Sequence, residues 1–393
     1  MSIWRNLIHR PKIRAHRSTG FPSWRLSVVL LVLVLVSGCA GGGGRHQSWP
    51  GLLESNGTLY VANLEHVQAL NSETGKVLWG FPSEEDSGAG PFYSVPLLAP
   101  DVADNGLLLV AGFKDKTVYG LALGASPAER PDELWRFDGA AGQYVGTGTV
   151  AGDLFIIGNG DGKVYALNLE DGAKLWEYAT EDRVWAKPLV IDDRVYVASL
   201  DHFLYVLDLN SGAELWRFEA EGSISATPVL AGGDIWIGDF GSKLYQIDLE
   251  AQEVVWTFEA NDWLWATPIE GDGVLYFADV SGNVYALNIS DHMMVWDAPA
   301  SVGDVVHGRP ALSPDGALLY VAGFERGGLH AIDTATGNVR TSWGTVQESP
   351  GRLPGDLVTD GERLYSLPIM VPARVQSFSL VSGDLLWTAP PAE

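Results

Sequence analysis

Residues 207–216, LDLNSGAELW, decide the fold, because close copies of this segment recur along the chain. The copies are LNSETGKVLW at residues 70–79, LNLEDGAKLW at 167–176 and FSLVSGDLLW at 378–387. Each copy passes from an apolar stretch through a polar turn to a tryptophan. Glycine stands four residues before that tryptophan in all four segments, which is typical of a turn residue with positive φ.

A tryptophan closes each of eight units, and successive tryptophans are 56, 41, 40, 40, 40, 47 and 44 residues apart. A period near 40 residues with strand-like content is typical of propeller blades. In the fourth unit, four short apolar stretches alternate with turn-forming residues, which predicts a four-stranded antiparallel meander. The closing residues are Trp79, Trp135, Trp176, Trp216, Trp256, Trp296, Trp343 and Trp387.

The sequence therefore predicts an all-β, eight-bladed propeller over residues 49–393. We expect the closing tryptophans to pack between adjacent blades, where one indole buries on the order of 200 Å². The fifth and sixth units depart from the pattern, since Gln252 and His292 replace the turn glycine. Those two turns must take another form or tolerate strain.

The amino terminus differs from the rest of the chain. Its first 38 residues contain six basic and no acidic side chains, and an apolar run, Leu26 to Val36, leads to Ser37-Gly38-Cys39. This order is typical of an export signal. Because residues 36–39 also resemble the bacterial lipobox, we predict a lipoprotein signal peptide at residues 1–38 and a lipidated Cys39. Residues 39–48 would then form a glycine-rich tether.

The repeats resemble the PQQ-like propeller repeat, and a lipoprotein made only of eight such repeats is similar to the BamB family. The resemblance covers residues 49 to about 390. It implies a non-catalytic scaffold that supports the assembly of outer-membrane β-barrels through protein contacts. None of the family's partner-binding residues is transferred to this chain.

The composition of the chain excludes several classes of partner and site. The 393 residues include 25 Lys and Arg against 49 Asp and Glu, a net charge of −24. This balance argues against nucleic acid as a partner, because phosphates need clustered cations. A single cysteine excludes an internal disulfide and a zinc site with several thiolates, and the histidines lack metal-ligand spacing. We therefore predict no metal.

Quinoprotein dehydrogenases share this repeat, so an enzyme is an alternative. The resemblance among those enzymes includes a longer chain, adjacent cysteines near the quinone, and acidic and amide ligands around calcium. This chain has neither a cysteine pair nor an insertion long enough to enclose a cofactor. The prediction is therefore a protein that is not an enzyme and has no cofactor, with PQQ binding as the alternative.

One set of residues suggests a binding surface. When the units are aligned on the second-strand aromatic residue, or on the prolines before the first strand, six units place an aromatic residue or histidine at one position. These residues should surround one mouth of the central channel, where they either fill the channel or bind a partner by stacking. The candidate rim is Trp49, Tyr93, Tyr144, Trp185, Trp265 and His307, with Trp263, Arg309 and Arg352 nearby in the same loops.

We therefore predict a membrane-anchored, monomeric adaptor that binds envelope proteins, such as a β-barrel assembly complex, through one propeller face. Its location would be the periplasmic face of the outer membrane in a cell with two membranes, and otherwise the outer face of the cytoplasmic membrane. A quinoprotein-like sensor and a glycan-binding module remain alternatives, the second because of the aromatic rim.

Overall fold

The computed structural model describes residues 51–63, 65–82, 89–340, 343, 352–353, 355–368 and 374–389. The predicted signal peptide, Cys39, the tether and Trp49 lie outside these ranges. Within them, every element of regular structure is a β-strand. None of the described segments is a helix that could cross a membrane.

The strands form eight antiparallel sheets, in each of which strands consecutive in sequence are neighbours. Blades 1 to 4 consist of β1 (Gly51–Ser55), β2 (Thr58–Asn63), β3 (His66–Asn71), β4 (Val77–Phe81); β5 (Leu97–Ala99), β6 (Leu107–Ala111), β7 (Val118–Ala122), β8 (Asp132–Phe137); β9 (Thr149–Ala151), β10 (Leu154–Gly158), β11 (Lys163–Asn168), β12 (Lys174–Ala179); β13 (Leu189–Ile191), β14 (Arg194–Ala198), β15 (Phe203–Asp208) and β16 (Glu214–Glu219).

Blades 5 to 8 consist of β17 (Val229–Ala231), β18 (Asp234–Gly238), β19 (Lys243–Asp248), β20 (Glu253–Glu259); β21 (Ile269–Gly271), β22 (Val274–Ala278), β23 (Asn283–Asn288), β24 (Ala300–Ser301); β25 (Ala311–Leu312), β26 (Leu318–Ala322), β27 (Leu329–Asp333); β28 (Val358–Thr359), β29 (Arg363–Ser366), β30 (Val375–Ser379) and β31 (Leu385–Ala389). The prediction of an eight-bladed propeller is confirmed.

Blade 7 has three described strands, and its fourth position is marked by a bridge between Ile332 and Val339. The backbone N–H of Arg340 donates to the carbonyl of Ala331 at 2.8 Å and extends this pairing. The chain thus begins a fourth strand here, just before residues 341–342, which lie outside the described ranges.

Burial follows the place of each strand in its blade. The second and third strands are buried on both faces, as in β15, because neighbouring blades cover both sides of the sheet. The fourth strand alternates between exposed and half-buried residues, as in β20, because one face points to solvent. The first strands lie innermost, with β9 beside β13 and β1 beside β28, and surround the central channel.

The ring closes between its last and first blades without exchange of a strand. Leu59 and Leu70 of blade 1 share a buried cluster with Tyr365 and Val375 of blade 8. Each terminal blade keeps its own four strands in the order in which the chain forms them. Packing of apolar side chains across this seam therefore holds the circle together.

The closing tryptophans lie at the seams between consecutive blades. The indole Nε1 of Trp135 donates to the carbonyl of Leu169 at 2.8 Å, and Trp176 makes the same bond to Leu209 at 2.9 Å. Trp296 and Trp343 repeat this contact with the following blade. Five of the eight side chains are buried (Trp79, Trp135, Trp176, Trp296, Trp343), and three are half-buried (Trp216, Trp256, Trp387).

The two turns without glycine keep the left-handed conformation. The φ angle is 58° at Gln252 and 59° at His292, close to the 68° of Gly212. The imidazole of His292 stacks on Trp256, with ring centroids 4.6 Å apart and planes 9° apart. These turns therefore tolerate the strain, and at His292 a ring contact offsets part of it.

Candidate partner-binding face

One face of the propeller is made by the loops that enter the first strands and by the turns between second and third strands. In blades 2 to 7, where the loop and turn are described, backbone hydrogen bonds tie a loop to the turn of its own blade, as from Leu200 N to Arg183 O at 3.0 Å. Others tie it to the preceding blade, as from Ile224 N to Ser199 O at 3.1 Å. The loops are therefore fixed by both neighbours. We call this surface the channel-mouth face.

Buried carboxylates hold this face from beneath. Asp239 accepts hydrogen bonds from the backbone of Gly222 at 2.8 Å and of Lys243 at 2.8 Å, and from the hydroxyl of Tyr245 at 3.0 Å. Asp279 and Tyr285 repeat the tyrosine bond in the next blade at 2.8 Å. Many acidic residues of this face are therefore engaged in holding its own turns.

Strand pairing establishes which residues share the rim position. Leu189 pairs with Tyr196, and the rim residue Trp185 lies four residues before Leu189. The same offset from the paired first-strand residue gives Tyr93, Ser225, Trp265 and His307 in blades 2, 5, 6 and 7.

Blade 3 departs from the sequence-based alignment by one residue. Thr149 pairs with Ile156, so Val145 and not Tyr144 takes the rim position. Tyr144 is fully buried, in a cluster with Trp135 and Tyr165, and burial raises the pKa of its hydroxyl. Tyr144 therefore belongs to the core between blades, and the prediction that it lies on the rim is wrong.

The structure brings three candidates together with two phenylalanines. Phe240 stacks on Trp263, with centroids 5.4 Å apart, and on Trp265 at 5.0 Å. Trp265 stacks on His307 at 4.7 Å, and His307 contacts Phe324 at 4.5 Å. These five rings, which we call the aromatic arc, span the loops of blades 5, 6 and 7.

The arc leaves part of its surface open. Trp263, Trp265 and Phe240 are half-buried, whereas His307 and Phe324 are buried. Arg352 lies over Phe324, with its guanidinium carbon 5.4 Å from the ring centroid, and pairs with Glu325 at 3.0 Å. The arc thus combines exposed indole surface with an ion-paired arginine stacked at one end.

His307 is neutral at the centre of the arc. Burial lowers the pKa of its imidazole to about 4, because no charged partner offsets the loss of hydration. Its Nδ1 is buried and makes no hydrogen bond to a described residue. His307 therefore acts as an aromatic spacer between Trp265 and Phe324.

The other rim candidates lie in other blades. Trp185 of blade 4 is half-buried, with the guanidinium carbon of Arg183 5.9 Å from its ring. Tyr93 of blade 2 is buried and meets Phe113 edge-on at 4.8 Å. Arg309 is exposed, two residues beyond His307 and closer to the channel.

Hydrogen bonds run around the inner end of the loops. Lys187 N donates to Thr227 Oγ1 at 3.2 Å, and Thr227 N donates to Thr267 Oγ1 at 3.1 Å. Farther around the ring, Arg309 N donates to Asp356 Oδ1 at 2.7 Å. These residues occupy one register position and line the channel just inside the rim.

Three charged side chains at this position interact across the channel. Burial and the nearby Arg309 lower the pKa of the Lys187 ammonium. Burial raises the pKa of Asp356, against the effect of Arg309 and Lys187. Arg309 and Asp356 nevertheless keep solvent-accessible surface, because they line an open channel and not a packed core.

Sequence reasoning missed Phe240, Phe324, Lys187 and Asp356. The two phenylalanines come from turns between second and third strands, which only the fold brings against the rim. A signal was present, because Phe113, Phe240 and Phe324 occupy the same turn in three blades. Lys187 could have been found from its place two residues after Trp185.

The donor set around the channel does not fit a metal-bound quinone. Such a group needs several carboxylate and amide oxygens converging on one ion. Asp356 is the only carboxylate at the described channel register, and it lies beside two cations. No group of three or more His, Cys, Asp or Glu side chains that could hold a metal ion occurs among the described residues.

Sequence comparison establishes the family. The family model described as outer membrane protein assembly factor BamB matches residues 13–199, 127–220 and 201–393. The chain belongs to the BamB family. This confirms the resemblance seen in the repeats. No curated protein sequence matches the chain significantly.

Solved structures show the same fold. BamB from Moraxella catarrhalis superposes with a TM-score of 0.62 at 18% identity, covering 82% of this chain and 97% of its own. The computationally designed protein Ika8 gives a TM-score of 0.68 at 14% identity, covering 85% and 97%. A europium-containing methanol dehydrogenase gives 0.61 at 13% identity, covering 73% and 77%. The family match thus establishes membership in the family, and the similarity to these solved structures supports the propeller fold.

Proposed function

We propose that this BamB-family chain is a non-catalytic adaptor of the cell envelope that binds segments of other proteins through the channel-mouth face. The observation that carries the proposal is the aromatic arc, whose half-buried indoles stand on loops fixed by hydrogen bonds. Aromatic and arginine side chains dominate the binding energy of many protein interfaces. Arg352 at one end of the arc supplies the second type.

The rigidity of the loops favours binding over a merely exposed apolar surface. Trp263 O accepts a hydrogen bond from Val280 N at 2.9 Å, and Leu264 N donates to Asp239 O at 3.0 Å. Trp265 therefore directly follows two residues whose backbone is held, one by its own blade and one by the preceding blade. A surface ordered before binding loses little conformational entropy when a partner arrives.

We also propose that the chain takes part in the assembly of outer-membrane proteins. Membership in the BamB family supports this role. The lipobox-like residues 36–39 support an anchor through Cys39, and the glycines that follow would let the propeller reach partners near the membrane. The partner would be a component of the barrel assembly machinery or a protein in transit to it.

The channel register supports the non-catalytic part of the proposal. It presents Thr227, Thr267 and three mutually interacting charged side chains, a set suited to contacts more than to a redox group. We accordingly propose that the protein works without a cofactor. Thermal unfolding with PQQ and Ca²⁺ tests this, because a specific ligand raises the melting temperature. A rise of several degrees would favour the quinoprotein alternative.

Photocrosslinking in native cells tests the adaptor role. The photoreactive residue p-benzoylphenylalanine replaces Glu181, which is exposed in the loop entering blade 4, in the full-length, exported chain. A matched control carries the same residue at Asn210, exposed on the opposite face. We expect a discrete protein adduct from position 181 and none from position 210. Adducts of equal strength from both faces, or none from either, would contradict the proposal.

A variant then tests the arc together with the rim residue Trp185 of blade 4. Trp185→Ala and Trp265→Ala together should abolish the adduct while the melting temperature stays within a few degrees, because both indoles are half-buried. If the double variant unfolds instead, these rings serve packing. Binding of purified protein to a glycan array, lost in the same variant, would favour the glycan-binding alternative.

A further inference from the structure

Among the residues that the structure describes, two cations at the mouth of the channel have no ion-pair partner. Neither the ammonium of Lys187 nor the guanidinium of Arg309 forms an ion pair with any residue in the described ranges. Asp356, which interacts electrostatically with both cations, has one oxygen occupied by the backbone N–H of Arg309 at 2.7 Å. Two cations and one carboxylate leave a net positive charge in a protein whose overall charge is −24.

The position of these cations relative to the rim is regular. Lys187 follows Trp185 by two residues, and Arg309 follows His307 of the aromatic arc by two residues. In both loops the ring stands at the rim and the cation lies one step deeper, at the channel register. A ligand that placed an aromatic group on the arc could therefore direct an attached anion toward Arg309 and Lys187.

We propose that Lys187 and Arg309 bind a carboxylate of the partner segment whose aromatic side chain lies on the arc. This inference rests on the proposed function and specifies the chemistry of the partner. An arginine fork binds a carboxylate through two parallel hydrogen bonds, and a nearby lysine adds a point charge. The walls of the channel concentrate the field of both cations at its mouth.

The local charge selects a single negative charge. A carboxylate would neutralise the single net positive charge of the Lys187, Arg309 and Asp356 group, whereas a phosphate dianion would leave the site with an uncompensated negative charge and would lose more hydration on entering it. Polyanions are disfavoured by the acidic surface as well. The carboxylate could be the carboxyl terminus of the partner or an acidic side chain, and the experiment separates these two sources.

Calorimetric titration of the full chain with matched small probes tests the inference. N-acetyltryptophan represents a terminal carboxylate, and its neutral amide is the control. N-acetyl-Trp-Glu-amide represents an acidic side chain, and N-acetyl-Trp-Gln-amide is its neutral control. We expect about tenfold tighter binding of the acid in at least one pair at low ionic strength, the difference expected for charged hydrogen bonds.

Variants assign that preference to the proposed residues. Lys187→Gln with Arg309→Gln should remove the acid preference and leave the affinity for the neutral probe unchanged. Arg326→Gln is the matched control, because Arg326 is exposed on the same face and its loss should leave the preference intact. Melting temperatures of all variants verify that they are folded.

Each outcome separates this inference from the adaptor role. Equal affinities within both pairs, no binding of any probe, or a preference that survives Lys187→Gln with Arg309→Gln would overturn the carboxylate site. The photocrosslinked adduct at position 181 would persist in those cases. If the otherwise unchanged chain gave no adduct at position 181 but still preferred the acidic probes, the site would bind a small carboxylate ligand, and the adaptor proposal would be wrong.

Discussion

The hydroxyl oxygen of Tyr365 lies 3.1 Å from the carbonyl oxygen of Ser72, and this contact joins the last blade to the first. The same hydroxyl lies 2.6 Å from Asp360 Oδ2. Its burial raises the pKa of the phenol, so it remains a hydrogen-bond donor at neutral pH. Every other seam joins blades that are consecutive in the chain, whereas this one must form between residues 293 apart.

Tyr365→Phe should weaken the closing seam. We expect a loss of about 1–2 kcal/mol in the free energy of unfolding, measured by urea denaturation, because buried hydrogen-bonding groups lose a partner. Hydrogen exchange in β1–β4 should become faster, since blade 1 opens more readily when the ring is less well closed.

Tyr320→Phe is the matched control for closure. Its hydroxyl donates to Leu380 O at 3.0 Å and joins blades 7 and 8, which are consecutive. It should cost a similar free energy without accelerating exchange in blade 1. Equal exchange in blade 1 for both variants would contradict a special role of the closing seam.

Gly212→Ala should destabilise the propeller more than its φ angle alone requires. A Cβ at Gly212 would stand 2.6 Å from the Trp176 ring, at a φ of 68°. Gly273 has a φ of 76° and nothing within 4 Å of its Cβ position, so Gly273→Ala isolates the backbone strain. We expect about 1 kcal/mol for Gly273→Ala and about 3 kcal/mol for Gly212→Ala in urea denaturation. Equal losses would mean that the indole moves aside at no cost.

The repeat made the fold predictable from sequence, whereas the site was predictable only in part. Eight evenly spaced tryptophans specify blades because each indole must meet the same turn of the following blade, as Trp176 meets Leu209. The sequence alignment was wrong in blade 3 because it matched Phe155 to Tyr196, whereas the residue equivalent to Tyr196 is the next one along the chain. The predicted rim residue was therefore Tyr144 instead of Val145.

Sequence spacing could place the two phenylalanines of the aromatic arc in a repeated turn, but it could not show which rings they contact. Phe240 meets Trp265 across 25 positions, and Phe324 meets His307 across 17. These contacts exist because a turn and a loop share one face of the fold. No local periodicity encodes that proximity, which arises from the curvature of the whole ring.

Two fully buried serines should respond oppositely to replacement by alanine. Ser199 Oγ donates toward Asp182 O at 3.2 Å and accepts from Asp201 N at 3.3 Å, whereas Ser377 Oγ has no hydrogen-bond partner among the described residues. Ser199→Ala should cost about 1–2 kcal/mol, and Ser377→Ala should be neutral or stabilising, because a buried unpaired hydroxyl is unfavourable. Chemical denaturation of both variants checks this. A comparable loss in Ser377→Ala would show that its hydroxyl is satisfied.

His307 should make the stability of the propeller depend on pH. Its pKa is lowered to about 4 by burial, whereas an unfolded histidine titrates near 6.5. Between these values the unfolded chain binds the proton more tightly, so acid favours unfolding. The contribution is fully present above about pH 6.5 and is lost as the pH falls toward 4, at about 1.4 kcal/mol per pH unit.

His307→Phe removes this dependence and keeps a ring between Trp265 and Phe324. Urea denaturation at pH 7 and pH 5 should show wild type losing about 2 kcal/mol more than the variant, which is roughly 1.5 pH units of the linkage. The comparison with the variant is necessary because burial also lowers the pKa of His330, which contributes with the same sign in both proteins. Parallel losses in the two proteins would mean that the imidazole of His307 is hydrated or paired, and that the centre of the aromatic arc is more open than its burial indicates.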